Sequence, residues 1–142
     1  PSFSALSEAV SELGGRLKKL NVAGPWHSPY LNKASEEFGQ WVKDIEFKKP
    51  HTAIVFNATA KCESDPEKIK ELVTMQLCKP VYFRGCLEYI KSHNPRNFFE
   101  IGPGRVLSGL VRANGLTSNI YIYNINNLCG LKRAVSEIFS AN

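Results

Sequence analysis

The stretch NFFEIGPGRVLSGLVRANG (residues 97–115) runs from an apolar strand pattern, NFFEI, through a tight Gly-Pro-Gly turn into a helix pattern, RVLSGLVRANG, with Gly115 near its end. The same rhythm extends in both directions. Downstream, NIYIYNI (119–125) predicts a strand and LCGLKRAVSEIF a helix. Upstream, AIVFNAT (53–59) predicts a strand rich in β-branched and aromatic residues, and KCESDP a loop. The helix pattern EKIKELVTMQL follows, with Ser64 and Glu67 spaced as a capping box. Pro80 then opens a helix, VYFRGCLEYIKSH, that stops before Asn94-Pro95. Strands alternating with helices predict an α/β fold with a parallel sheet covered on both faces.

The first part of the chain keeps a different rhythm. Phe3, Leu6, Val10, Leu13, Leu17 and Leu20 recur at helical spacing, with Gly14 and Gly15 weakening the helix without abolishing it. LNVAG (20–24) predicts a short strand closed by Gly24-Pro25. From Ser28 a second helical stripe comprises Leu31, Ala34, Phe38, Trp41, Val42 and Ile45, and Lys48-Lys49-Pro50 ends it.

Composition bounds the class. The 142 residues are 43% hydrophobic and 22% charged, the balance of one globular domain with a sizeable core. No apolar run approaches the ~20 residues of a membrane helix. PSFSALSEAV has neither the basic nor the apolar region of a signal peptide. The absent initiator Met leads us to expect a chain that begins after processing or inside a longer protein. Cys62, Cys78, Cys86 and Cys129 form no C-x-x-C pair, so no zinc site is expected. Reduced thiols in the cytoplasm, or an organelle matrix in a eukaryote, are the expectation.

The net charge is +5, and the stretch from Lys79 to Arg112 carries most of it. There Lys79, Arg84, Lys91, Arg96, Arg105 and Arg112 face only Glu88 and Glu100, a net +4. Such a stretch suits an acidic protein, a phosphorylated ligand or nucleic acid, or is simply a solvated surface. Tyr82, Phe83, Phe98 and Phe99 lie near it but fall on predicted core faces, and no nucleic-acid module is visible. The Gly-x-Gly of EIGPGRVLSGL resembles a phosphate-cradling turn, yet Leu107 occupies the place of a third glycine and no Walker lysine follows. Glycines permitting a sharp strand-to-helix turn are the simpler reading.

His51 and His93 read as surface residues. His27, in GPWHSPYL (24–31), stands at a strand-to-helix junction, where α/β proteins place catalytic groups. It reads as a satisfied core ring, a metal ligand or a general base. A base needs something to activate, and no G-x-S-x-G nucleophile elbow occurs in these residues.

Four motifs in order narrow the choice: VAGPWHSPYL (22–31), FNATA (56–60), QLCKPVYF (76–83) and EIGPGRVLSGL (100–110). Together they resemble the C-terminal half of malonyl-CoA:acyl carrier protein transacylases. The resemblance implies a large α/β-hydrolase-like domain carrying a small ferredoxin-like subdomain. Residues 1–24 would then be the closing helix and strand of the small subdomain, and residues 25–142 the return into the large domain.

It also implies ping-pong transfer of a malonyl group from coenzyme A to the phosphopantetheine thiol of acyl carrier protein, through an acyl-serine. His27 matches the catalytic base, and the backbone carbonyl of Gln76 the group that orients it. Trp26, bulky beside the base, would favour malonyl over methylmalonyl units, and Asn57 would line the same pocket. Lys79, Arg105, Lys18 and Lys19 would face the acidic carrier protein and the phosphates of coenzyme A. The family's nucleophilic serine belongs to its N-terminal half. This chain is therefore expected to be inactive alone and to need that half as partner, with no resident cofactor, metal, membrane or nucleic acid. A carrier-protein-binding module without catalysis is the alternative.

Overall fold

The computed structural model describes residues 2–19, 21–115 and 119–140. Helix α1 (Phe3–Glu12) precedes a 3-10 turn at Pro29–Leu31 and helix α2 (Asn32–Val42). A hairpin of β1 (Ile54–Phe56) and β2 (Lys61–Glu63) leads to α3 (Pro66–Met75) and α4 (Phe83–Lys91). The chain closes with β3 (Asn97–Ile101), α5 (Val106–Ala113), β4 (Tyr121–Ile125) and α6 (Leu128–Ser140). The fold is mixed α/β.

Among the described residues the parallel sheet consists of β3 and β4, in register from Asn97 opposite Tyr121 to Ile101 opposite Ile125. Alternate strand residues point to opposite faces. On one face Phe98 and Ile122, with Phe83 and Ile120, pack against Leu87 of α4 and Val111 of α5, the centre of the core. Full burial of such a side chain contributes about 1.5–3 kcal/mol. On the other face Phe99 stacks on Tyr123 with ring centres 5.2 Å apart. Helix α6 packs against β4 and buries Ala134, yet Ile101 and Tyr121 stay 79% and 68% exposed. The expectation of one parallel sheet covered on both faces is therefore corrected: β1 pairs not with β3 but antiparallel with β2.

The hairpin stands where the sequence predicts a strand followed by a loop. β2 is only three residues long, too short for an alternation to show. Ala60 completes the turn at φ +54, and both it and Thr59 donate to the Phe56 carbonyl. The cap of α3 sits one residue after the expected Ser64. Asp65 accepts from the Lys68 N–H at 3.0 Å, because Pro66 takes the first helical position, where a missing N–H has no consequence. Pro80 does not open α4; Tyr82 first donates to the Asn57 carbonyl at 2.9 Å, and the helix starts at Phe83.

Helix α1 ends earlier than the leucine repeat suggests. Gly14 adopts φ +72, and the Gly14 and Gly15 amides close onto Ser11 and Val10 at 2.9 Å each, a Schellman stop. No strand forms over residues 21–24, and Leu20 lies outside the described residues. Helix α1 buries none of its residues: Phe3 and Leu6 are about half exposed and Leu13 is open to solvent. Helix α2 stops at Val42, where a 3-10-type bond from Ile45 turns the chain away well before Pro50.

Candidate active site

Three hydrogen bonds hold the turn that carries His27. Ser28 Oγ donates to the Pro25 carbonyl at 2.5 Å, and the His27 amide donates to the Leu77 carbonyl at 3.0 Å. The third joins His27 Nδ1 to the Gln76 carbonyl at 2.9 Å. A carbonyl oxygen only accepts, so Nδ1 carries a proton, and in the neutral ring Nε2 has the lone pair. Among the described residues nothing covers the imidazole, which is exposed. Its backbone lies at φ +60, a left-handed conformation that costs a non-glycine residue about 1–3 kcal/mol.

The partner of His27 is the end of α3. A helix leaves its last four carbonyls without internal partners. Around this end the Met75 carbonyl takes the Cys78 and Lys79 amides, Thr74 takes the Ser35 hydroxyl, and Gln76 and Leu77 take His27. The histidine turn is thus part of the cap of α3.

The other expected site residues are placed as follows. Trp26 adjoins His27 and is 56% exposed. Asn57, at the end of β1, is occupied elsewhere, with its carbonyl on Tyr82 and its Oδ1 3.8 Å from Cys86 Sγ. The segment 76–82 links the two sites, which are not hydrogen-bonded to each other. Lys79 lies exposed three residues past Gln76, and Lys18 and Lys19 are exposed in the chain after α1. Arg105 lines a surface cavity of about 300 Å³ with Arg133, Tyr121, Tyr123 and Glu137. The basic stretch is spread over separate elements, and Arg84 is paired with Glu88 at 2.9 Å. Of the aromatics beside it, Phe83 and Phe98 pack on the core, whereas Tyr82 and Phe99 are 53% and 39% exposed.

A second polar cluster, which the sequence does not predict, surrounds Glu100. Glu100 is buried in β3, and its carboxylate accepts from the amides of Leu107 and Ser108 at 2.9 Å each. It also accepts from Ser108 Oγ at 2.5 Å and Asn124 Nδ2 at 2.9 Å. The Ser108 hydroxyl foremost, then the two amides and Asn124, hold its carboxyl below the usual carboxylate range against the opposing effect of burial. These amides open α5, so the glycine turn, with Gly102 at φ +134 and Gly104 at φ +92, has its anion within the chain. The phosphate-cradle reading ends there. The signal in the sequence was a carboxylate two residues before the first glycine of the turn.

Among the described residues no group of three or more His, Cys, Asp or Glu is arranged to hold a metal ion, and no helix is long and apolar enough to cross a membrane. The four cysteines are free.

No family model matches the chain. A malonyl CoA-acyl carrier protein transacylase of Staphylococcus aureus (strain COL) is 36% identical over 108 residues, 75% of this chain and 35% of that protein. Its namesake from Buchnera aphidicola subsp. Schizaphis graminum is 33% identical over 128 residues, 84% of this chain and 40% of that protein. The chain therefore spans about a third to two fifths of the length of these curated relatives. Among solved structures, the malonyl CoA-acyl carrier protein transacylase of Clostridium perfringens superposes with a TM-score of 0.86 at 30% identity, over 97% of this chain and 43% of that one. A malonyl-transacylase in complex with its type II PKS acyl-carrier protein superposes with a TM-score of 0.81 at 27% identity, over 95% of this chain and 44% of that one.

Proposed function

Because the chain is homologous to the malonyl CoA-acyl carrier protein transacylases over about a third to two fifths of their length, we propose that it supplies the base of such an enzyme. The observation that carries this reading is the bond from His27 Nδ1 to the Gln76 carbonyl. It leaves Nε2 ready to take a proton from a nucleophile, and a backbone carbonyl does the orienting that a carboxylate does in other hydrolases.

The nucleophile is a serine outside these 142 residues. Nε2 takes its proton as Oγ attacks the malonyl thioester. The C–S bond breaks, and the coenzyme A sulfur leaves with the proton that Nε2 returns. The phosphopantetheine thiol of acyl carrier protein then gives its proton to Nε2 and attacks the acyl-serine, and the serine leaves protonated. At each stage the imidazolium faces the carbonyl end of α3, where a positive charge is favoured.

Residues 25–142 are then part of an α/β-hydrolase-like domain, and residues 1–24 close a ferredoxin-like subdomain. The unburied apolar side of α1 supports that division. So does the total exposed surface, 11120 Å², against about 7,400 Å² for a compact monomer of this mass. That surplus is surface for the nucleophile-bearing half to cover. Malonyl-CoA and acyl carrier protein are the substrates, Asn57 lines the pocket, and the site is cytoplasmic. Trp26 crowds an α-methyl branch, worth about 1–3 kcal/mol.

The test is acyl transfer by this chain with and without the matching N-terminal portion, with malonyl-CoA and methylmalonyl-CoA offered in competition. Activity only on mixing, with malonyl preferred about 10–200-fold, is expected. Activity of the chain by itself refutes the division of labour, and equal use of both substrates refutes the role of Trp26. Carrier-protein binding by the mixture without transfer would favour a binding module.

A further inference from the structure

The imidazole of His27 is held by a carbonyl at the end of a helix, and such a carbonyl is only as well placed as that helix end. Helix α3 finishes at Met75, with Gln76 as its cap. The Thr74 carbonyl, in the last turn, accepts from Ser35 Oγ at 2.8 Å. Ser35 is 7% exposed and is the only polar residue that α2 buries. One turn further along α2, Gly39 lies so close that a Cβ there would stand 3.1 Å from Thr74 Cγ2. Thr74's own hydroxyl is spent on the Lys70 carbonyl at 3.0 Å.

These contacts close a ring. His27 leads through the 3-10 turn into α2, Ser35 of α2 grips Thr74, and two residues later Gln76 grips His27. We propose that Ser35 is a positioning residue for His27, fixing the last turn of α3 and so the point from which Gln76 presents its carbonyl to the ring. The inference rests on His27 as the base and adds what sets its tautomer. Without the hydroxyl, a half-buried carbonyl loses its partner and the last turn frays. The bond that holds the proton on Nδ1 then weakens.

Long-range 1H–15N correlation spectra of the labelled chain, at about pH 8 where imidazoles are neutral, report which nitrogen carries the proton. Wild-type His27 should be Nδ1–H. Ser35→Ala should lower its Nδ1–H to Nε2–H ratio about threefold to tenfold, with His51 and His93 unchanged, and Ser35→Thr should restore it. Gly39→Ala keeps the hydroxyl but presses on Thr74, and should shift the ratio the same way by less. It decides the matter if Ser35→Ala does not fold. Nε2–H in the wild type would sink the reading of His27 itself. Nδ1–H in the wild type with an unchanged ratio in Ser35→Ala, or in Gly39→Ala where that variant must decide, overturns the role of Ser35 alone.

Discussion

Two Gly-Pro turns in this chain lead to opposite ends. Gly24-Pro25 delivers His27, exposed and left-handed, with one ring nitrogen held by Gln76 and the other without a hydrogen bond among the described residues. Gly102-Pro103-Gly104 delivers the start of α5 onto Glu100, whose carboxylate is buried and takes four hydrogen bonds from Leu107, Ser108 and Asn124. A satisfied, buried polar cluster stabilises a fold and has nothing left to react. An exposed ring held on one side only, on a strained backbone, keeps a nitrogen available for chemistry. The difference separates a side chain with a polar atom still available from one whose polar atoms the fold has used.

The largest effect should come from His27. In the enzyme complemented with its nucleophile-bearing half, His27→Ala should lower the rate about 10²–10⁴-fold with the unfolding midpoint little changed. Loss of folding with near-normal turnover in the folded remainder would reverse the contrast between the two turns.

Glu100 should do the opposite. Its folded-state carboxyl is held below the ordinary range, so the unfolded chain takes up the proton first. The stability it provides is complete above the ordinary carboxylate range, about pH 4.3, and is lost as pH falls through the lower folded-state value. Glu63, held down by the Asp65 amide and then that of Ser64, adds to the same slope. Urea titrations between about pH 6 and about pH 3 should show Glu100→Gln less stable at the upper end and flatter in its pH dependence. An equal slope in wild type and variant would remove the carboxylate from the account of stability.

The smallest effect concerns the surroundings of each turn. Lys79 lies just past the carbonyls that hold His27, and Arg105 immediately precedes α5 beside the Glu100 turn. Exposed charges steer encounter more than they bind. Charge reversal at either should raise the carrier protein's KM a few-fold, leave kcat nearly unchanged and flatten the salt dependence. A change at Lys79 alone would place docking on the histidine side; no change at either would leave the basic stretch a solvated surface.

The turn, strand and helix at residues 97–115 were legible because each is decided locally. Alternation places Phe98 inward, and glycines permit the positive φ of the turn. The His27–Gln76 pair was legible only through the resemblance of four motifs, since nothing local ties residues 49 positions apart. Other features were hidden because the responsible partner is distant or the segment too short. β2 has no period to read, Asp65 displaced Ser64 as a cap through the following proline, and the Gly14-Gly15 stop overrode a leucine repeat. Glu100 read as one charge in a basic stretch, although its partner Ser108 lies eight residues away.

By itself, then, the sequence determined the β3–α5–β4 alternation, the position of His27 between a turn and a helix, and the absence of a G-x-S-x-G elbow from these residues. Only the tertiary structure decided that His27 stands exposed with Nδ1 engaged, that Ser35 reaches Thr74, and that β1 pairs with β2 rather than with β3. The physical reason is range. Turns, caps and periodicities are set by a residue's near neighbours, whereas a tautomer or a strand partner is set by groups that only folding brings within hydrogen-bonding distance.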